Sequence, residues 1–231
     1  MRCDPFTRQS KLRNHGKHFM PEILKVAADN SEEFVLSRAT DILAQGGIIA
    51  YPTETFYGLG ADATNEKAIR KIYDLKGRNF HNPISVIIDR EENLHPLVEG
   101  VPPIAVILMK AFWPGPLTII FRASSTVSPL LTAQTGKIGI RISSHRGART
   151  LAQKLGHPLT ATSANLSGAP ECSSAGEVAR QIGQQLDAIV DLGNMAGGKG
   201  STIIDVTVAP PQILREGVIS RRSIQHHIAS K

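Results

Sequence analysis

Apolar residues recur along this chain at two spacings, and the two alternate. Ile23, Leu24 and Val26 open a short strand over 23–26, and Ser31 with Glu32 and Glu33 marks the N-cap and acidic first turn of a helix reaching about Gln45. Gly46 and Gly47 stop that helix. Ile48-Ile49-Ala50-Tyr51 is an unbroken apolar run of the buried-strand type. Pro52 is expected to end it, because proline supplies no ladder N–H, so that a polar loop begins at Thr53. Over 66–76, Ala68, Ile69, Ile72, Tyr73 and Leu75 share one helical face, and the last turn is basic.

The alternation continues to the end of the chain. Strands are expected over 84–88, 117–121, 138–142, 158–162, 188–191, 202–206 and 212–214, and helices over 104–112, 146–155, 175–184 and 223–228. With no linker and no internal repeat, this order predicts one α/β domain over residues 21–231. Its core is expected to be a twisted, mixed and parallel-rich sheet flanked by helices.

Composition narrows the class. At 231 residues, with 41% hydrophobic and 20% charged residues, the chain is long enough to bury a substantial core and is neither collagen-like nor coiled coil. No apolar run approaches the ~20 residues that cross a bilayer, so no membrane association is expected. Cys3 and Cys172 are too few for a disulfide framework and suit a reducing, cytoplasmic setting. The formal charge is +6, of which +4 falls in residues 1–20, where Arg2, Arg8, Lys11, Arg13 and Lys17 face Asp4 alone. Residues 1–20 therefore read as a disordered basic tail, with Met20 as an alternative translation start.

Several familiar nucleotide and metal motifs are absent. The segment Gly193-Asn194-Met195-Ala196-Gly197-Gly198-Lys199 approaches a P-loop, but Gly200 stands where Ser or Thr should bind magnesium, and a strand follows instead of a helix. The eight histidines lack metal-ligand spacing, so no protein-held metal is expected. What remains is polar residues where apolar strands give way to loops, the usual place for ligands in α/β sheets. Thr53-Glu54-Thr55 offers two hydroxyls and a carboxylate before a glycine-containing stretch, and would serve equally as a plain turn. Lys76-Gly77-Arg78 would serve either an anion or the helix C-terminal dipole. Ser163 in Ser163-Ala164-Asn165 is a possible ligand contact or an N-cap. Arg141, Ser201 and Arg215 complete a cation-rich, hydroxyl-rich set that suits a polyanion with small polar co-substrates.

At these residues the chain resembles the threonylcarbamoyl-AMP synthase, or YrdC-like, family. The matching stretches run from Gly46 through Tyr51-Pro52-Thr53-Glu54-Thr55-Phe56-Tyr57-Gly58-Leu59-Gly60, then Lys76-Gly77-Arg78 with Asn82-Pro83, and Phe112-Trp113-Pro114-Gly115-Pro116-Leu117-Thr118. They continue through Gly139-Ile140-Arg141, Ser163-Ala164-Asn165-Leu166-Ser167-Gly168, Ser201-Thr202-Ile203-Ile204-Asp205 and Leu214-Arg215-Glu216-Gly217, and the resemblance spans about residues 22–222. It implies a twisted mixed sheet with a basic concave face. It also implies a nucleotidyltransferase that joins ATP, L-threonine and bicarbonate into L-threonylcarbamoyl-AMP, releasing diphosphate and water. The product supplies partner transferase proteins that modify tRNA beside the anticodon.

Residue by residue, the resemblance implies ATP contacts at Lys76, Arg78, Asn82, Ser163, Asn165 and Arg215. It implies threonine contacts at Thr55, Arg141, the Ala161 backbone and Ser201, and catalytic roles for Lys76, Arg78 and Thr53, with Thr53 and Lys76 on the bicarbonate side. Mg²⁺ would arrive with the triphosphate, without a dedicated protein cage. The chain departs from longer family members at Ile87, where they carry a threonine-binding histidine, and at Gly200, where they carry a glutamate. It looks like the short, single-domain form, since they have a further C-terminal domain. The competing expectation is a tRNA- or double-stranded-RNA-binding factor without this activity, binding weakly and salt-dependently through phosphate contacts. Carbamoyl transfer in hydrogenase maturation is a third possibility, but the zinc-finger and acylphosphatase segments that accompany it are missing.

Overall fold

The computed structural model describes residues 20–77 and 82–229. Residues 1–19 of the basic tail, and Arg78, lie outside them. Helix α1 (Glu32–Ala44) starts where Ser31 Oγ accepts the Phe34 N–H at 3.2 Å. Helix α2 (Glu66–Lys76) is capped by Asn65, whose side-chain oxygen accepts from Lys67 and Ala68, and it ends on Gly77 at φ 57°. That left-handed turn suits a residue without Cβ. Helices α3 (Pro103–Phe112), α4 (Arg146–Leu155), α5 (Ala175–Ile182) and α6 (Arg221–Ala229) follow.

The strands form two mixed sheets. The first contains β1 (Glu22–Lys25), β9 (Ala188–Asp191), β2 (Ile49–Pro52), β3 (Tyr57–Gly60) and β8 (Thr162–Ser163), in that spatial order. The second runs β11 (Gln212–Arg215), β10 (Thr202–Asp205), β5 (Leu117–Arg122), β6 (Lys137–Arg141), β4 (Val86–Ile87) and β7 (Leu159–Thr160). The mixed α/β expectation holds, with the strands divided between two sheets. Parallel pairing joins β1 to β9, β9 to β2, β10 to β5 and β4 to β6, and the hairpin-type neighbours are antiparallel.

Two local departures shape the site. Pro52 ends its strand as expected, pairing with Tyr57 as the last residue of β2, and Thr53 closes a tight hairpin by donating both its N–H (3.2 Å) and its hydroxyl (2.7 Å) to the Phe56 carbonyl. Proline costs the ladder only its own N–H, and threonine makes up the turn. Residues 57–60 thus form β3 instead of a loop, because Gly58 and Gly60 make room for the Tyr51 ring. A Cβ at Gly58 would stand 3.2 Å, and one at Gly60 3.0 Å, from that ring. The expected strand over 158–162 is broken at Ala161, whose N–H donates to the Ser85 carbonyl at 2.7 Å. There the chain leaves the second sheet at β7 and enters the first at β8, so Ala161 is a one-residue joint between them.

Apolar side chains fill the space around both sheets. The larger core includes Tyr57, Leu59, Ile69, Ile72, Ile119, Phe121 and Ile140. A second packs α1 and α4 against β9 and β2 through Val35, Leu36, Leu43, Ile49, Leu151 and Val190. Ile87 belongs to this second core and is fully buried.

Candidate functional site

The β2–β3 hairpin carries the first group. Thr53 and Thr55 are buried, with hydroxyls 3.2 Å apart. Glu54, between them, reaches to Arg141 at the end of β6, with Nη1 to Oε1 at 3.2 Å, while the Ser143 hydroxyl donates to its other oxygen. The side chains of Arg141 and Glu54 are only 8% and 14% exposed, so each compensates a charge that would be costly alone. Tyr51, behind them, donates its hydroxyl to the Thr160 carbonyl at 2.8 Å, and burial raises its pKa far beyond the ordinary tyrosine range.

The second group is centred on Lys76, the last residue of α2. Its buried ammonium does not stay at the helix end. It donates to the Ser163 carbonyl at 2.6 Å, to Asn165 Oδ1 at 3.0 Å and to Ser163 Oγ at 3.2 Å. Ser163 Oγ also donates to Asn165 Oδ1 at 2.7 Å, and Asn165 Nδ2 to the Ala169 carbonyl at 2.5 Å. Ser163 is a strand residue and not an N-cap, and Ser174 starts the next helix by accepting the Glu177 N–H.

The third group joins β10 to β11. Arg215 donates from Nε to the Ser201 carbonyl and from Nη2 to Ser201 Oγ, both at 3.0 Å, and Ser201 Oγ lies 3.2 Å from the Thr118 hydroxyl. Desolvation lowers the pKa of Arg215, helped by nearby Arg141 and opposed by the carboxylate of Glu171. Gly217 is required here, since a Cβ would fall 2.0 Å from the Gly200 carbonyl oxygen.

These groups border one cavity of about 150 Å³, between the hairpin of the first sheet and the strand ends of the second. Thr53, Thr55, Arg141, Ala161, Ser163, Ser201 and Arg215 all line it. Lys76 and Asn165 stand directly behind Ser163. Asn82 does not line the cavity: it is exposed and its carbonyl accepts from Tyr73, although its neighbour Pro83 is a lining residue. Arg78 lies outside the described residues. Among those residues, no three His, Cys, Asp or Glu side chains gather where they could hold a metal ion.

Sequence reasoning assigned no role to Glu171, Ser85 or Tyr57, which also line the cavity. Glu171 sits in Ala169-Pro170-Glu171-Cys172, without motif or periodicity. The nearest signal to it was Gly200: a Cβ there would stand 3.3 Å from Arg215 Nη2 and 3.6 Å from Glu171 Oε1. Cys172 next to it is buried, and desolvation pushes its thiol pKa up to about 11.

This arrangement has known counterparts. The Sua5/YciO/YrdC family model, described as "Telomere recombination", matches residues 41–217. A Pyrococcus abyssi protein named threonylcarbamoyl-AMP synthase is 37% identical over 194 residues, covering 84% of this chain and 57% of that one. A Vibrio parahaemolyticus protein of the same name is 38% identical over 191 residues, covering 82% of this chain and 100% of its own. This chain thus spans little more than half of the archaeal relative and the whole of the bacterial one. Among solved structures, P. abyssi Sua5 complexed with L-threonine superposes with a TM-score of 0.85 at 36% identity, covering 89% of this chain and 60% of that one. With a family match over most of its length and a bacterial relative matched end to end, the chain belongs to the Sua5/YciO/YrdC family.

Proposed function

We propose that this chain is an L-threonylcarbamoyl-AMP synthase, joining ATP, L-threonine and bicarbonate into the mixed anhydride with release of diphosphate and water. One observation carries the reading: a single cavity gathers two guanidiniums, Arg141 and Arg215, with the hydroxyls of Thr53, Thr55, Ser163 and Ser201. The name of the relatives, and the L-threonine complex of P. abyssi Sua5, support the same substrate set.

In this reading the threonine carboxylate shares Arg141 with Glu54. Thr55, Ser201 and the Ala161 carbonyl take the remaining polar groups, the Ala161 N–H being engaged by Ser85. Lys76, Ser163, Asn165 and Arg215 face the triphosphate, with Arg78 and Asn82 completing that contact. Thr53 and Lys76 hold the bicarbonate side. The amine of threonine attacks the bicarbonate carbon, and the resulting carbamate oxygen displaces diphosphate from the α-phosphorus. No covalent enzyme intermediate is needed, so the protein contributes alignment and fixed positive charge. Mg²⁺ fits this donor set if phosphates and water supply most of its ligands, since the cavity offers hydroxyls and one carboxylate. It would neutralise charge on the triphosphate. The product feeds tRNA threonylcarbamoyl transferase proteins in the cytoplasm, and binding of tRNA or double-stranded RNA is weak and salt-dependent.

The test is diphosphate release from ATP and Mg²⁺ with threonine and bicarbonate each omitted in turn, while mass spectrometry follows the adenylate. Release that requires both co-substrates supports the synthase. Folded protein that releases none but retains RNA binding would shift the assignment to an RNA-binding factor.

A further inference from the structure

The proposed reaction leaves one proton without an acceptor. Threonine arrives as an ammonium, and nitrogen becomes a nucleophile only when that proton is gone. Among the described residues, the titratable groups lining the cavity are Arg141, Arg215, Tyr51, Tyr57 and Glu171. Guanidiniums do not accept protons at neutral pH. Burial raises the pKa of both tyrosines, so they stay neutral donors; Tyr51 is committed to the Thr160 carbonyl and Tyr57 to the Gly193 carbonyl. No histidine is among the described residues lining the cavity.

Two carboxylates stand near enough to matter, and their commitments differ. Glu54 is bound on one oxygen by Arg141 and on the other by Ser143. Glu171 makes no hydrogen bond or ion pair with any described residue, and it borders the cavity directly. It is not isolated from charge. Arg215 feels its field, and both groups close on Gly200, where a Cβ would stand 3.6 Å from Glu171 Oε1 and 3.3 Å from Arg215 Nη2.

We propose that Glu171 is the general base of the reaction, receiving the α-ammonium of the amino-acid substrate and taking its proton. The inference rests on the synthase reading above. One N–H bond breaks and Glu171 becomes a carboxylic acid. The freed lone pair then forms the C–N bond to bicarbonate, and the bicarbonate hydroxyl departs as water with a second amine proton. The carbamate oxygen displaces diphosphate, and Glu171 returns its proton to solvent. Such positioned proton transfer contributes on the order of 10²- to 10⁴-fold to rate.

The decisive comparison is Glu171→Gln against wild type, which keeps the size of the side chain and removes the basic oxygen. Diphosphate release by the variant should fall tenfold or more in kcat at neutral pH. The deficit should shrink to a few-fold as pH passes the pKa of the substrate amine, because the amine then arrives deprotonated. In calorimetry, wild type should bind L-threonine more tightly than 3-hydroxybutyrate, which lacks the amine, and Glu171→Gln should lose that preference. A variant with wild-type kcat at every pH, a deficit that does not change with pH, or an unaltered preference for threonine overturns the assignment. Wild-type protein that binds no threonine and releases no diphosphate overturns the synthase reading itself, and Glu171's role with it.

Discussion

The two sides of the cavity are built on opposite plans. On one side Lys76, Ser163 and Asn165 form a closed net, each polar group already holding another, with the buried ammonium donating to three acceptors on Ser163 and Asn165. On the other side Arg215 spends only part of its donor set on Ser201, and Glu171 spends nothing on the described residues. The closed side fixes geometry before any ligand arrives. The open side keeps bonding capacity for one. A site that aligns several small substrates needs both, because fixed groups lower the entropic cost of alignment while uncommitted groups supply the interaction.

The contrast can be broken most severely at the hairpin. Arg141→Ala strands Glu54 as an unpaired, largely buried carboxylate, and loss of one partner of such a pair costs about 3–5 kcal/mol. Chemical denaturation should show that loss, and threonine-dependent turnover should vanish. Adding Glu54→Gln should restore much of the stability and none of the turnover; restored turnover would refute the role of Arg141 in threonine binding.

Lys76→Met tests the closed side. It leaves the Ser163 carbonyl and Asn165 Oδ1 without their charged donor, at about 1–3 kcal/mol, and should lower kcat at least tenfold in folded protein. Wild-type turnover in that variant would reduce the net to scaffolding. Gly60→Ala probes the packing underneath: its Cβ would press on the Tyr51 ring at 3.0 Å, and overpacking of this kind costs about 1–3 kcal/mol. A lower thermal midpoint with unchanged threonine affinity is the expected result, and an unshifted midpoint would show that Tyr51 yields freely.

The smallest effect concerns Cys172. Its folded pKa, raised by burial to about 11, favours the neutral thiol. The associated stability is full below the unfolded value of about 8.5 and is lost as pH climbs between the two. Iodoacetamide at pH 8 should therefore modify Cys172 much more slowly in native protein than in denaturant. Equal rates would place the thiol in water.

Much of the molecule could be read from the chain. The helix at Glu32–Ala44 was legible from its Ser31 cap and the glycines after it, that at Glu66–Lys76 from its apolar face and basic last turn, and that at Arg146–Leu155 from the Gly156 that ends it. Strand β3 was not, since Gly58 and Gly60 look like a loop until the ring of Tyr51 is seen to need their empty side. The 3-10 helix at Glu91–Leu97, which contains Pro96, also carried no periodic signal. In the site, Glu54 was visible as a carboxylate, but its partner Arg141 is 87 residues away, and only the sheet topology joins them. Glu171 went unassigned for the same reason: nothing local marks it, and its setting is made by Gly200, just before β10, and Arg215, at the end of β11.

The single-residue step at Ala161 carries a further implication, for how this chain tolerates changes of length. Residues before it are in register with β4 and residues after it with β3, and side chains along a strand alternate faces at every position. An added or deleted residue here would turn one flank over relative to the other, exchanging inward for outward side chains on one half of the cavity. Substitution at the joint is a question of size, whereas insertion reorganises the pocket. Variation in chain length compatible with activity therefore belongs elsewhere, in stretches such as 207–211, a largely exposed turn that joins β10 to β11 within one sheet and lines no part of the cavity.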